Sequence, residues 1–322
     1  MTPFTALSEP VVEPRRPPLV RVAGADGEAP LDWLERHGDA LRGQAAEHGS
    51  VLVRGLRLHG QADAVAALRR LMPAPYVEYE PFAPRTVHAE GVYSSSEWPP
   101  DQPMCMHHEV SYALDVPSLL AFCCVTPPAS GGVTALADSR RVLADLPAPL
   151  VERFERLGWE LLRNYHAFVG VPWQSAFPGG GDRAAVEDYC RRQGITFGWD
   201  DDGLRTRQLR PAVARHPLTG ERCWFNQIAF LNEETMDPAV REYLALEFGE
   251  DGLPFTTRYG DGTPIDRATV DLINEVYERH TVRFTWERGD LLLVDNVLTA
   301  HSREPYRGDR EIVVAMGGPV RL

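Results

Sequence analysis

Apolar residues recur every three to four positions in LDWLERHGDALRGQAAEH (31–48) and in QADAVAALRRLM (61–72), which predicts two amphipathic helices. Between them Gly49 punctuates the chain, and SVLVRGL (50–56) has the apolar, β-branched character of a strand. From about 80 to 140 the pattern changes to short runs broken by Pro, Gly and Ser. LLAFCCV (119–125) and VTALADS (133–139) are the clearest strands there. Helical spacing returns in APLVERFERLG (148–158), DRAAVEDYCRRQG (182–194) and TVDLINEVYERH (269–280), the last with Asp266 placed as its N-cap. The chain closes with two strands, DLLLVDN (290–296) and REIVVAM (310–316), set off by Gly289 and Gly308.

Strands this widely spaced, with helices inserted between them, lack the regular β–α alternation of a parallel sheet. They predict a mainly β fold with flanking helices: an antiparallel jelly roll of the cupin-like, double-stranded β-helix type. The proline-rich start predicts an extended arm over 1–20. No linker rich in Pro, Gly or Ser interrupts the remainder, so 21–322 is expected to form a single domain.

Composition narrows the class. The 322 residues are 43% hydrophobic and 25% charged, ordinary for a globular protein. Lys and Arg number 33 against 46 Asp and Glu, a net charge of −13, which argues against a nucleic-acid partner. It does not exclude an acidic substrate in a locally cationic pocket. No apolar run approaches the roughly 20 residues of a membrane span, and the N-terminus lacks the apolar core of a signal peptide. Five cysteines without framework spacing suit a reducing cytoplasm, with Cys123 and Cys124 expected as buried thiols in a strand. A homo-oligomer is compatible with all of this.

Chemistry concentrates in four places. In Met106-His107-His108-Glu109 an extended chain would put His107 and Glu109 on one face. Taken alone, a His-x-Glu pair also fits a solvated loop. In the tail, an apolar strand delivers Asp295 and Asn296 and then His301 just past its end. Arg310 opens the last strand, sharing a face with Ile312, Val314 and Met316. Such an arginine is either exposed at the strand start or paired with a buried anion. Gly131 and Gly132 form a turn that places Thr134 at the start of another strand. Together they suggest a facial triad for Fe(II), with two His and one carboxylate leaving three positions open. A 2-oxo acid fills two of those positions and O2 the last. Arg310 then meets the distal carboxylate of 2-oxoglutarate with its planar fork, and Thr134 adds a hydroxyl.

From about residue 30 onward the chain resembles the taurine dioxygenase (TauD/TfdA) superfamily, and within it the syringomycin-biosynthesis-type hydroxylases. The segments that carry the resemblance are VLVRGL (51–56), RTVHAEGVYSSSEWPPDQPMCMHHEVSY (85–112), PPASGGVTALADSRRVL (127–143), HPLTGERCWFNQ (216–227) and GDLLLVDNVLTAHSREPYRGDREIVVAM (289–316). The resemblance implies that His107, Glu109 and His301 bind iron and that Thr134 and Arg310 contact 2-oxoglutarate. It also implies coupling of 2-oxoglutarate decarboxylation to oxidation of an unactivated C–H bond, with hydroxylation the simplest outcome. The substrate class it implies is a small amino acid, free or tethered to a carrier protein, in natural-product biosynthesis.

Two departures from the family pattern matter. The carboxylate ligand is Glu where many members have Asp. Val314 stands where the taurine branch has the arginine that grips the sulfonate, which argues against taurine. His108 is an alternative ligand if the register shifts by one. Arg163 and Asn164 are candidates for a substrate carboxylate, and Phe225, Asn226 and Val314 for the pocket wall. Asp295 and Asn296 are expected to brace His301, His216 to sit in a turn, and Arg54 and Arg85 to be structural. Two alternatives remain: a cupin-like protein holding a non-redox metal, and the same oxidant used for desaturation, epoxidation or cyclisation.

Overall fold

The structure is a computed structural model that describes residues 7, 9–22, 29–72, 74–166, 169–200 and 203–322. Residues 1–6 and 8 of the predicted arm lie outside the described residues. The arm's end is not free chain. Leu19–Arg21 forms a strand paired in parallel with Ser50–Arg54, with Leu19 opposite Leu52.

Two sheets face each other as a jelly roll. The larger has seven strands in the order Leu19–Arg21, Ser50–Arg54, Leu291–Asp295, Asp115–Thr126, Glu311–Arg321, Val92–Ser94 and Val87–Ala89. The smaller has four: Thr281–Val282, Leu136–Asp138, Thr299–Arg303 and Met104–His107. Strand alternation sorts the residues of the large sheet. Leu52, Phe122, Leu292, Val294, Val314 and Met316 face inward onto Met104, Leu136 and Ala300 of the small sheet. Val51, Val53, Ala121, Cys123, Leu293 and Val313 face outward under the first two helices.

Those helices, Pro30–His48 and Gly60–Leu71, sit within a residue of the positions that the apolar spacing predicts. They bury Leu34, Leu41, Leu68 and Leu71 against the outer face, each worth about 1.5–3 kcal/mol of transfer free energy. Gly49 ends the first helix in the left-handed region at φ 83°. A Cβ there would lie 2.4 Å from Thr299 Oγ1. The glycine thus lets the helix end seat against the start of the strand that carries His301. Its carbonyl accepts from Thr299 Oγ1 at 3.0 Å and from Asp295 N at 2.9 Å. Asp266 caps Arg267–Arg279 by accepting from Thr269 N. Cys123 and Cys124 lie buried and unpaired in the Asp115–Thr126 strand.

A second four-stranded sheet has no counterpart in the expected elements. Its order is Ile195–Asp200, Gly203–Arg210, Trp159–His166 and Phe255–Tyr259. On Gly203–Arg210 the alternation is polar-in: Thr206, Gln208 and Arg210 are buried, while Leu209 is 54% exposed. A further helix, Pro238–Phe248, also lies outside the expected set.

Candidate metal centre

His107 closes the Met104–His107 strand and His301 sits in Thr299–Arg303; the two residues are direct partners in the antiparallel register. Their rings stand with centroids 4.3 Å apart. Phe230 stacks on His107 at 4.4 Å, and Phe122 meets His301 edge-on at 5.4 Å. His107 Nδ1 lies 2.8 Å from the carbonyl of Cys105. A carbonyl only accepts, so Nδ1 carries the proton and Nε2 keeps a free lone pair. Burial, together with nearby His301, lowers His107 to about 3, so the ring is neutral as a ligand must be.

Glu109 arrives by a different route from the extended alternation expected. The strand stops at His107, and residues 109–111 form a turn in which Val110 adopts φ 56°. That left-handed conformation is rare for a β-branched residue. It is held by Asn296, whose Oδ1 accepts from Glu109 N at 2.8 Å and whose Nδ2 donates to Glu109 O at 2.9 Å. Glu109 Oε2 then lies 3.5 Å from His301 Nε2. Donor atoms of His107, Glu109 and His301 all fall within 4.8 Å of one another, and all three residues are buried. Burial opposes charge on Glu109. The Arg85 guanidinium and the two imidazoles outweigh it and hold the carboxyl well below its ordinary range. Two imidazoles and one ionised carboxylate, facing one another in a cleft, are a donor set that fits Fe(II).

His108 is turned away from this cluster. Its Nδ1 is 2.5 Å from Asn296 O and its Nε2 2.8 Å from Ser139 Oγ, so both ring nitrogens are occupied. Asp295 and Asn296 brace the strand end. Asp295 Oδ1 accepts from Val297 N and Leu298 N, and its Oδ2 lies 3.0 Å from His216 Nε2. His216 is indeed at a turn, with Nδ1 accepting from Thr219 N.

The same cleft contains Thr134, Arg310 and Val314, with Arg85, Ser95, Ser96, Ser302 and Arg303. Arg310 Nη2 lies 3.4 Å from Thr134 Oγ1, and Nε donates to Gly132 O at 3.2 Å. A Cβ on Gly132 would come within 3.2 Å of Arg310 Cδ, so the glycine leaves room for the arginine stem. Trp286 Nε1 also donates to Thr134 Oγ1, at 3.2 Å. Partial burial and the neighbouring Arg303 lower Arg310 to about 10, and no carboxylate among the described residues pairs with it.

Four expected substrate residues are not brought to the cleft. Arg163 donates Nη1 to Glu80 O and Nη2 to Pro81 O. Asn164 donates to Asp251 O and Leu253 O. Phe225 packs with Val116, Cys223 and Val297 and against the His108 ring. Asn226 Nδ2 donates to Ala212 O. In each case a main-chain or core partner already uses the group. Arg85 departs the other way. Expected as structural, it lines the cleft and touches Glu109, whereas Arg54 does pair structurally with Asp290. Nothing in the spacing of RTVHAEG marks Arg85, because its partners are distant in sequence. Phe230 was also missed; its only signal was an aromatic three residues beyond FNQ.

Comparison with known proteins agrees with this geometry. The family described as taurine catabolism dioxygenase TauD, TfdA matches residues 11–316. The dapdiamide synthesis protein DdaC of Enterobacter agglomerans is 33% identical over 94% of this chain and 92% of its own length. A clavaminate synthase-like protein of Arabidopsis thaliana is 28% identical over 84% of this chain and 82% of its own. Among solved structures, PvcB of Pseudomonas aeruginosa aligns with a TM-score of 0.54 at 16% identity, covering 96% of this chain and 89% of that one. No helix among the described residues is long and apolar enough to cross a membrane. With the matched family spanning nearly the whole chain and a fitting donor set in its cleft, the protein belongs to the TauD/TfdA family of Fe(II)- and 2-oxoglutarate-dependent dioxygenases.

Proposed function

We propose that His107, Glu109 and His301 hold the iron, that Arg310 and Thr134 hold the distal carboxylate of 2-oxoglutarate, and that the enzyme oxidises a C–H bond of a small amino-acid-like substrate in natural-product biosynthesis. The observation that carries the reading is one cleft containing both the buried donor cluster and an arginine that meets a hydroxyl, a carbonyl and the Tyr306 ring but no carboxylate among the described residues. Iron with O2 and 2-oxoglutarate supplies the oxidant, and 2-oxoglutarate leaves as succinate and CO2. The chain's own part is orientation and exclusion of water. Phe230 and Phe122 pack the two imidazoles, and Asn296 fixes the turn that presents Glu109.

The charges favour a substrate whose carboxylate is masked as an amide or a carrier thioester. Arg303 gives Nη1 to the carbonyl of Trp98 and Nη2 to those of Pro99 and Gln102, and only its Nε is left without a partner among the described residues. Arg85 is paired with Glu78 and Glu109. Arg310 is assigned to 2-oxoglutarate, so no cleft arginine keeps a whole fork for a second carboxylate, and a bare carboxylate would enter poorly paired, at a cost. Val314 offers a sulfonate nothing. A relative named for dapdiamide synthesis supports a biosynthetic setting. The reading takes residues 21–322 as one oxygenase domain after the arm. Its five unpaired cysteines suit a reducing cytoplasm.

The test is product analysis by mass spectrometry under Fe(II), 2-oxoglutarate and ascorbate. Free amino acids, their amides and aminoacyl carrier proteins are offered in parallel. Turnover of an amide or carrier-bound form, with one oxygen gained, is the expected result; loss of two hydrogens would identify desaturation or ring closure instead. Efficient oxidation of taurine, or of free amino acids alone, defeats the masked-carboxylate reading.

A further inference from the structure

We propose that Arg85 is a positioning residue for the iron: its guanidinium takes Glu109 Oε1, leaving Oε2 as the one oxygen offered to the metal, while Glu78 holds the guanidinium from behind. The proposal rests on Glu109 being an iron ligand. Arg85 Nη2 donates to Glu109 Oε1 at 2.9 Å, and Oε2 of the same carboxylate faces His301 Nε2 at 3.5 Å. Arg85 Nε lies 3.3 Å from Glu78 Oε2. The Glu78, Arg85 and Glu109 side chains are only 4%, 6% and 3% exposed, so water does not compete for these contacts.

Glu109 is therefore fixed twice. Asn296 clamps its main chain through two hydrogen bonds, and Arg85 clamps one carboxylate oxygen. The second clamp has a chemical purpose. A glutamate has one more rotatable bond than an aspartate, and its terminal torsion is broad. Unrestrained, its carboxylate can turn to bind a metal through both oxygens. That would occupy a fourth position on an ion that must keep three for the 2-oxo acid and O2. An arginine on Oε1 blocks the turn. Glu78 keeps that arginine from following the carboxylate toward the metal, and its main chain is held where Glu78 N donates to the Tyr93 hydroxyl at 3.0 Å. Two residues on, Glu80 accepts from Tyr189 and Gln208 through its carboxylate and from Arg163 and Tyr112 through its carbonyl.

Charge alone predicts the opposite sign, which makes the idea testable. A cation beside a divalent metal repels it, so a purely electrostatic role would have metal bind more tightly once Arg85 is neutral. A positioning role has it bind more weakly. The experiment is Mn(II) titration of the full chain, followed by loss of the free-ion EPR signal, with thermal unfolding measured alongside. Arg85→Lys keeps charge and bulk but cannot span two carboxylates. It should weaken Mn(II) binding by about 10–100-fold, the range for groups that orient metal ligands, with unfolding close to wild type. Arg85→Gln should weaken it at least as much. Unchanged affinity in Arg85→Lys, or tighter binding in Arg85→Gln, overturns the proposal; should Arg85→Gln not fold, Arg85→Lys decides. Glu109→Ala is the separate control. If it leaves Mn(II) binding intact, the ligand assignment falls. If it abolishes binding while Arg85→Lys does not weaken it, only the role of Arg85 falls.

Discussion

The two walls of the cleft are built on different physical terms. One comes from the sheets: His301 and His107 meet through strand register, and Val314 and Ile312 follow the alternation of the last strand. The other comes from loops between residues 78 and 112, where Arg85, Ser95, Ser96 and Glu109 stand outside regular strands, with Glu78 behind Arg85 and Glu80 two residues on. Their positions are set by buried polar bonds to distant partners, Asn296 for Glu109 and Gln208 and Tyr189 for Glu80. Register needs only a two-residue period, so the first wall is rigid and economical to encode. The second wall depends on each buried donor and acceptor finding its partner, and it loses more when one is removed.

The largest expected effects lie where the walls meet. His107→Ala, Glu109→Ala and His301→Ala should each reduce succinate formation to background, because each removes one of three ligands. His108→Ala should keep its Mn(II) affinity yet unfold at lower denaturant, since it strands Ser139 Oγ and Asn296 O inside the core. Lost Mn(II) binding in His108→Ala with retained binding in His107→Ala would show that the register is off by one.

Next comes the sheet-borne wall. Arg310→Ala should leave Mn(II) bound but forfeit a charge-assisted partner of the 2-oxoglutarate carboxylate, about 2–5 kcal/mol. In KM for 2-oxoglutarate that is on the order of 30-fold to several thousand-fold. Arg310→Lys should be impaired too, because a point charge cannot form the fork. A 2-oxoglutarate KM unchanged in Arg310→Ala would remove Arg310 from the site.

The same contrast explains what the sequence made legible. The helices 31–48 and 61–72 and the strands around Phe122, Leu292 and Val314 have clean apolar periodicity; of the candidates, His107 and His301 lie on strands, while Thr134 and Arg310, expected to open strands, stand just before Leu136–Asp138 and Glu311–Arg321. The second four-stranded sheet was not legible because its pattern is inverted. Thr206, Gln208 and Arg210 point inward and Leu209 outward, which reads as a solvated stretch. Arg85 was undervalued for a related reason. Its partners are 7 and 24 residues away, both outside the strands that lie between, with no period to connect them. Glu109 was singled out by an argument about extended chain, yet it reaches the cluster through a turn with Val110 at φ 56°. The carboxylate is at the cleft, brought there by a turn and not by strand alternation.

Arg163 offers the smallest effect and the finest discrimination between the walls. From the sequence it was the first candidate to meet a substrate carboxylate. In the structure it lies in the second sheet, with Tyr165 4.6 Å from its guanidinium, and holds the carbonyls of Glu80 and Pro81. Glu80 itself sits at φ 59°, a conformation a glutamate keeps only where its surroundings enforce it. Arg163→Ala removes two of the bonds that enforce it. Glu80 O retains the Tyr112 hydroxyl at 2.9 Å, but Pro81 O loses the donor given to it. The expected cost is about 1–3 kcal/mol of stability, read as a lower denaturant midpoint at unchanged m. Substrate KM should move by no more than about twofold, since a shift of the loop by a few tenths of a kcal/mol is all that reaches the cleft. Should substrate KM rise tenfold while the unfolding midpoint stays put, Arg163 is a binding residue after all. The loop-borne wall would then extend into the second sheet.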